Sequence, residues 1–457
     1  MNHVPAAETF TGEKHPNDYY YRPGMTLRAS PSRAVPSPEW FEMRKRLFSD
    51  WIDVQEVPRQ TLLTRKLDDH LWQGDETVDA LVALTREIGA AKLRQMVETA
   101  IARGVEAVEA PPQALVDFFR EMERIPDWFD AQMYERGRLR MIDCTPIGKT
   151  GGILVNTIMT AFGAAVGAAV GASGRFKYTP YRRQLETLAF FQKVPQPDGL
   201  SRFSDTFATT ARVRIMHAQV RAALRRKWGP AHYAEHGDPI SATDMALGVP
   251  AYGVVNLLID ASFGRKISAA DLDDVNMYWA YTAFRFGVSE YILPRNGMEA
   301  IQQFDYTLAT YGKASRWGDE VAEALLDFVH ESMTDTGAAA TDRLNRWIGF
   351  PLMLGFFVNI GRDPVGYRAV QSRCGNRLLL NVLERAFTAS ARRTMRKANR
   401  ADKRPGREER MRQQGMAGDP FLNDAMKVTA RLAVKNGVPR ATFDSHDQSK
   451  PVDFAAP

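Results

Sequence analysis

The sequence predicts an all-α, multi-helix globular protein, and three observations carry that reading. From Glu76 onward apolar residues recur at helical spacing, as in Val78, Leu81, Leu84 and Ile88, and again in Leu115, Phe118, Phe119 and Met122. No convincing run of alternating apolar and polar residues occurs, so strands should be few. Helix boundaries are marked by local chemistry: Ser241-Ala-Thr-Asp244 and Ser268-Ala-Ala-Asp271 have capping-box form before apolar runs.

Residues 1–75 are rich in proline, polar groups and aromatics such as Tyr19, Tyr20, Tyr21, Trp40, Phe41 and Trp51, and read as an arm laid over the main domain. Residues 76–390 form the helical domain, and 391–457 a basic tail with a short helix. The chain of 457 residues is long enough for a large core, and 44% hydrophobic with 25% charged residues is an ordinary globular balance. No repeat of solenoid period is present.

Thr150 to Gly174 holds no charged residue over 25 positions, the length of a membrane span. Its second half is dominated by Ala and Gly, with Gly163, Gly167 and Gly171 in G-x-x-x-G spacing. Such a segment is only mildly apolar and allows close backbone approach, so it reads as a buried central helix of a bundle with room beside it for a flat cofactor or apolar substrate.

The net charge of +6 is local. Ala391 to Arg412 carries +7, leaving −1 for the remainder. No aromatic residue interrupts this run, so nucleic-acid binding lacks stacking groups. A solvated tail is expected, with contact to an anionic membrane surface as the sharper reading. Two cysteines, Cys144 and Cys374, cannot make a disulfide framework, and C-x-x-C-H is absent. The start Met1-Asn-His-Val-Pro lacks a basic region followed by an apolar run, so a cytoplasmic location is expected.

A helix is predicted from about Phe203 to Trp228, stopped by Gly229-Pro230. Val213, His217, Val220 and Leu224 share one face, and Arg214 and Arg221 flank the histidine on the same side. A single imidazole bracketed by guanidinium groups suits a porphyrin, with iron on the imidazole and propionates on the arginines; a hydrogen-bonded core histidine fits the same pattern. Upstream, Pro180 can start a helix on which Arg183, Glu186 and Thr187 fall on one face. They read either as an ion pair of Arg183 with Glu186 or Glu290 beside a threonine bonded to its own backbone, or as a polar cluster above a metal. In the second case Thr187 donates to bound dioxygen and Glu186 transfers a proton. His232 and His236 follow Gly229-Pro230 in a polar, loop-like stretch and read as a solvent-exposed pair, without the arrangement of H-E-x-x-H. No nucleophile elbow, P-loop or dinucleotide fingerprint is present.

Arg212-Val-Arg214-Ile-Met-His217-Ala-Gln-Val-Arg221 resembles a segment of the latex-clearing protein (rubber oxygenase) and MpaB-type oxygenase family. Arg183-x-x-x-Thr187 is similar to that family's R-x-x-x-T, and the 30-residue step from Thr187 to His217 fits its spacing. Pro126-Asp-Trp-Phe with Glu135-Arg-Gly137, then Pro239 to Asp244, and Tyr278-Trp279 running to Leu293-Pro294, agree in order. The resemblance covers roughly residues 110–300. It implies a globin-like helical core binding haem b non-covalently, with His217 as proximal iron ligand. Arg214 and Arg221 are then candidates for propionate contact or core stability, and Arg183 and Thr187 are distal. It also implies an oxidoreductase that oxidises an apolar, isoprenoid- or lipid-like small molecule with dioxygen, with an electron donor as a further partner. A haem sensor or carrier without turnover would share His217 but place no demand on Glu186 or Thr187. Two departures stand out. Rubber-cleaving members carry lysine where this chain has Glu186, and a carboxylate where it reads Val166-Gly167-Ala168.

Overall fold

Ser241 and Ser268 start their helices as their spacing requires: each side chain accepts a bond from the backbone N–H three residues on, and Asp244 and Asp271 return it. Asp75, Asp130 and Ser204 cap three further helices by the same acceptor chemistry. The computed structural model describes residues 16–162, 169, 180–310, 324, 327–350, 377–416 and 419–438, and among them there is no strand. The fold is all-α. Residues 163–168 and 170–179, which include most of the Gly163–Gly171 segment and Val166 to Ala168, lie outside the described residues, as does Cys374.

The main helices are α1 (Phe41–Phe48), α2 (Leu62–His70), α3 (Glu76–Ala83), α4 (Ala90–Arg103), α5 (Gln113–Glu123), α6 (Ala131–Asp143), α7 (Pro146–Phe162), α8 (Pro180–Lys193), α9 (Asp205–His236), α10 (Val254–Ser262), α11 (Ala269–Arg285), α12 (Gly297–Thr310), α13 (Arg377–Asp402), α14 (Arg407–Met416) and α15 (Pro420–Lys435). The centre is α11, buried on every face from Val275 to Arg285 and packed against α6 and α12. A helix covered all round shows no amphipathic stripe, and two of its buried polar side chains bond to backbone carbonyls, Asn276 to that of Pro294 and Thr282 to that of Tyr278. A second apolar cluster joins α3, α4 and α5 to one side of α9 through Phe207, Ala211, Ile215 and Ala218. Helix α7, whose only charged residue is Lys149, packs on α10, and the Asn156 amide donates to the carbonyls of Gly152 and Ala251. Among the described residues no single helix is long and apolar enough to cross a membrane. One bent pair, Ala242–Tyr252 with Val254–Ser262, passes by length and composition, and its side chains are mostly buried in the core.

The two chain ends are more deeply built in than composition suggests. In the expected arm, Met43 and Phe48 are fully buried in the main core. Arg44, fully buried too, donates from Nε to Asp305 on α12 at 2.9 Å and from Nη1 to the Glu56 carbonyl. The basic run is likewise no solvated tail through residue 438. Phe387, Ala391 and Met395 recur every four residues, so α13 has an apolar stripe, and Ala391 and Met395 are fully buried. Arg265 and Arg407 share Asp143 and Asp402, which ties α13 and α14 to α6, and α15 packs along α8.

The long helix α9 departs from the expected stop. At Gly229 the backbone turns through φ 71° and ψ −177°, and Pro230 opens a second helical segment that runs to His236. Its most buried side carries Arg214 and Arg221, each 1% exposed, whereas His217 is half-buried. Arg214 pairs with Asp75 and Glu121. Arg221 pairs with Asp79, and Arg225 bridges Asp79 and Asp238. Removing one carboxylate from such a ladder leaves buried charge uncompensated. Asp79→Ala is therefore expected to lower unfolding stability by about 3–5 kcal/mol. Glu98→Ala, at the exposed Arg212 pair, should cost under about 1 kcal/mol, both read by urea denaturation.

A buried carboxyl outside this ladder makes stability depend on pH. Asp68 accepts a 2.6 Å bond from the Tyr306 hydroxyl, and burial pushes its pKa up to about 6. A carboxyl raised in the folded state supports the fold below its unfolded pKa and loses that support as pH rises through about 6. Asp68→Asn keeps an acceptor for Tyr306, so it should raise unfolding stability by roughly 2 kcal/mol near neutral pH. The gain should vanish in acid below the ordinary aspartate range, as read by thermal melts across pH.

Candidate functional site

His217 forms part of the wall of a small, partly open cavity, together with Gly74, Asp75, Arg214, Arg221, Met245 and Phe286. Two backbones approach the arginines there so closely that side chains are excluded. A Cβ on Gly74 would stand 2.2 Å from Arg221 Nε, and one on Gly287, whose φ is +83°, would stand 2.0 Å from Asp75 Oδ2. Both glycines line the cavity.

The two arginines flanking His217 differ in what they have left to offer. Arg221 uses all three nitrogens inside the fold: Nε and Nη2 donate to Asp79, and Nη1 donates to the Ile240 carbonyl at 2.9 Å. It is held as a core side chain. Arg214 donates from Nε and Nη2 to Asp75 and Glu121, but its Nη1 is buried without a hydrogen-bond partner among the described residues. A charged N–H left unpaired in a cavity wall is a place for an anion.

On α8, Glu186 is buried and its carboxylate is shared. Oε1 accepts from Arg182 Nε at 3.2 Å, and Oε2 lies 3.7 Å from Arg183 Nη1. Arg183 thus pairs with Glu186, while Glu290 takes Arg124 and the Trp128 indole instead. The Thr187 hydroxyl donates to the Arg183 carbonyl at 3.0 Å. Among the described residues, none of Arg183, Glu186 and Thr187 lines the His217 cavity. The link is made by Phe190, three residues beyond Thr187, which packs edge-on against the cavity residue Phe286 with ring centroids 5.3 Å apart.

Sequence reasoning missed the partners of these groups. Arg182 carried a signal, since arginine and glutamate four apart on a helix face each other. Asp75, Asp79 and Glu121 carried none, because they lie 93 to 142 residues from the arginines they hold. His232 and His236 also differ from expectation. They sit on the helical segment after Gly229, half-buried, with rings stacked at 4.1 Å. Burial, then the neighbouring ring, lowers the His232 pKa to about 4, so the pair stays neutral. Among the described residues no group of three or more His, Cys, Asp or Glu is placed to hold a metal ion.

Comparison with known proteins places this geometry. Residues 145–415 match the family model described as the ER-bound oxygenase mpaB/B'/rubber oxygenase catalytic domain. The fold is similar to that of a solved structure, the latex clearing protein LCP in the closed state, with TM-score 0.55 and 18% identity over 80% of this chain and 91% of that one. A comparison with curated proteins returns no match. The family match takes in α7 to α14 and therefore both His217 and the Arg183–Thr187 helix; on that span, more than half of the sequence, the chain belongs to the MpaB and rubber oxygenase family and is an oxygenase, an oxidoreductase.

Proposed function

We propose that this oxygenase binds haem b through His217 and acts with dioxygen on a small apolar molecule of isoprenoid or lipid type. The observation that carries the reading is the pairing, in one cavity wall, of an imidazole with the unpartnered Nη1 of buried Arg214. Those two groups fit an iron porphyrin: a nitrogen donor for the metal, and a cationic N–H for a propionate. Neutral imidazole is the ligand form, and its place between two anchored arginines fixes the helix that presents it.

When bound, the haem supplies the activation of dioxygen. The protein's own part is positional. Arg214, Asp75 and Glu121 hold the His217 helix against rotation. Glu186 and Thr187 are the polar groups on the helix whose Phe190 abuts the cavity. A threonine hydroxyl can exchange its backbone acceptor for another by rotation about χ1. Glu186 can hold or deliver a proton at its carboxylate, between the guanidinium groups of Arg182 and Arg183. Apolar side chains such as Met245 and Phe286 favour a substrate with little to hydrogen-bond. Glu186 stands where rubber-cleaving members carry lysine, so the proton chemistry of this chain runs through a carboxylate, and a small terpenoid- or lipid-like molecule is a better substrate than a polymer.

Two measurements test this reading. Purified protein titrated with haem b should show a Soret band saturating at one haem per chain, and His217→Ala should lose it; unchanged binding by the variant would remove His217 as ligand. Glu186→Gln, whose arginine partners are part-exposed and can be solvated, should keep the band yet slow oxygen uptake with an isoprenoid substrate by about 10²–10⁴-fold. Full activity in that variant would leave Glu186 as an ion-pair partner alone.

A further inference from the structure

The outer face of α13 carries a set of cations that the fold does not use. At 100° per residue, Arg392, Arg393, Arg396, Lys397 and Arg400 occupy an arc of about 140° centred opposite the buried Ala391–Met395 stripe. All five are exposed, and Lys403 and Arg404 extend the patch beyond the helix end. Among the described residues none of these seven makes an ion pair or side-chain hydrogen bond. Arg407, three residues beyond Arg404, is by contrast held by Asp143 and Asp402. Like charges four apart, as at residues 392, 396 and 400, oppose the helix they sit on. A cluster that costs stability and finds no internal counter-charge is matched to an external one.

We infer that this face docks on an anionic phospholipid bilayer. The face holds no aromatic side chain on which a base could stack, which argues against single-stranded nucleic acid. Towards the start of the helix, on the same side as the cations, lie Val382, which is 63% exposed, and the exposed Ala386 and Ala389. Apolar and basic residues on one surface suit the boundary between headgroups and acyl chains, where the former insert and the latter meet phosphate. Given the proposed apolar substrate, such docking holds the enzyme where that substrate concentrates.

Sedimentation of the full chain with vesicles tests this, and it needs neither haem nor turnover, so it can fail independently of the proposed reaction. The protein should bind phosphatidylcholine vesicles containing about 30 mol% phosphatidylserine, release as salt rises, and bind pure phosphatidylcholine at least about tenfold more weakly. Replacing Arg392, Arg393, Arg396 and Lys397 together by Gln should reduce partitioning roughly a hundredfold or more while leaving the circular dichroism spectrum intact. The same replacement of exposed Arg86, Lys92, Arg94 and Arg103 should leave it near wild type. Equal binding to uncharged vesicles, wild-type binding by the first variant, or preference for RNA over the anionic vesicles would overturn the inference.

Discussion

Buried charge pairing on α9 is the constraint on which the rest of the site depends. Arg214, Arg221 and Arg225 enter the interior and each meets carboxylates there, from Asp75 and Asp79 at the start of α3, Glu121 on α5 and Asp238 after α9. An unpaired charge in a low-dielectric interior is far more costly than a broken apolar contact. The ladder therefore admits one rotation and one axial position of α9. His217 lies between two of its rungs and takes its direction from them.

The two sides of the site are supported differently. The His217 side is braced by residues early in the chain, through buried ion pairs and glycine backbones that touch the guanidinium groups at Gly74 and Gly287. The Arg183–Thr187 side rests on α15 near the other end of the chain, and its ion pairs reach partly into solvent. His217 is thus set among buried, paired groups, whereas Arg183, Glu186 and Thr187, which do not line its cavity, have partners that solvent can replace.

Much of the fold could be read locally. Capping boxes at Ser241 and Ser268, helical spacing after Glu76 and the absence of alternation all reappear as helix starts, helix faces and an all-α core. The ordered run through His217 pointed to the right family, because short-range spacing on a helix survives wide divergence elsewhere. The ends of the chain were misread for one physical reason. Proline, aromatic and basic content describes composition, whereas burial follows the face: Met43 and Phe48 in one case, Ala391 and Met395 in the other, sit on narrow apolar stripes inside polar segments. Gly229-Pro230 misled in a related way, since proline that ends one helix is also well suited to begin the next.

The sequence alone determined the helical character, where helices begin, and that one imidazole stands between two arginines on a shared side. These are properties of neighbours within a turn or two, set by hydrogen bonds and periodicity that act over a few residues. Only the tertiary structure decided that Arg221 is committed to the core while Arg214 Nη1 has no hydrogen-bond partner among the described residues, and that Glu186 is held by Arg182 as well as Arg183. It also decided that the cations of α13 face outward without partners among the described residues. Partner choice across more than ninety residues depends on how whole helices pack, and no local pattern encodes that distance.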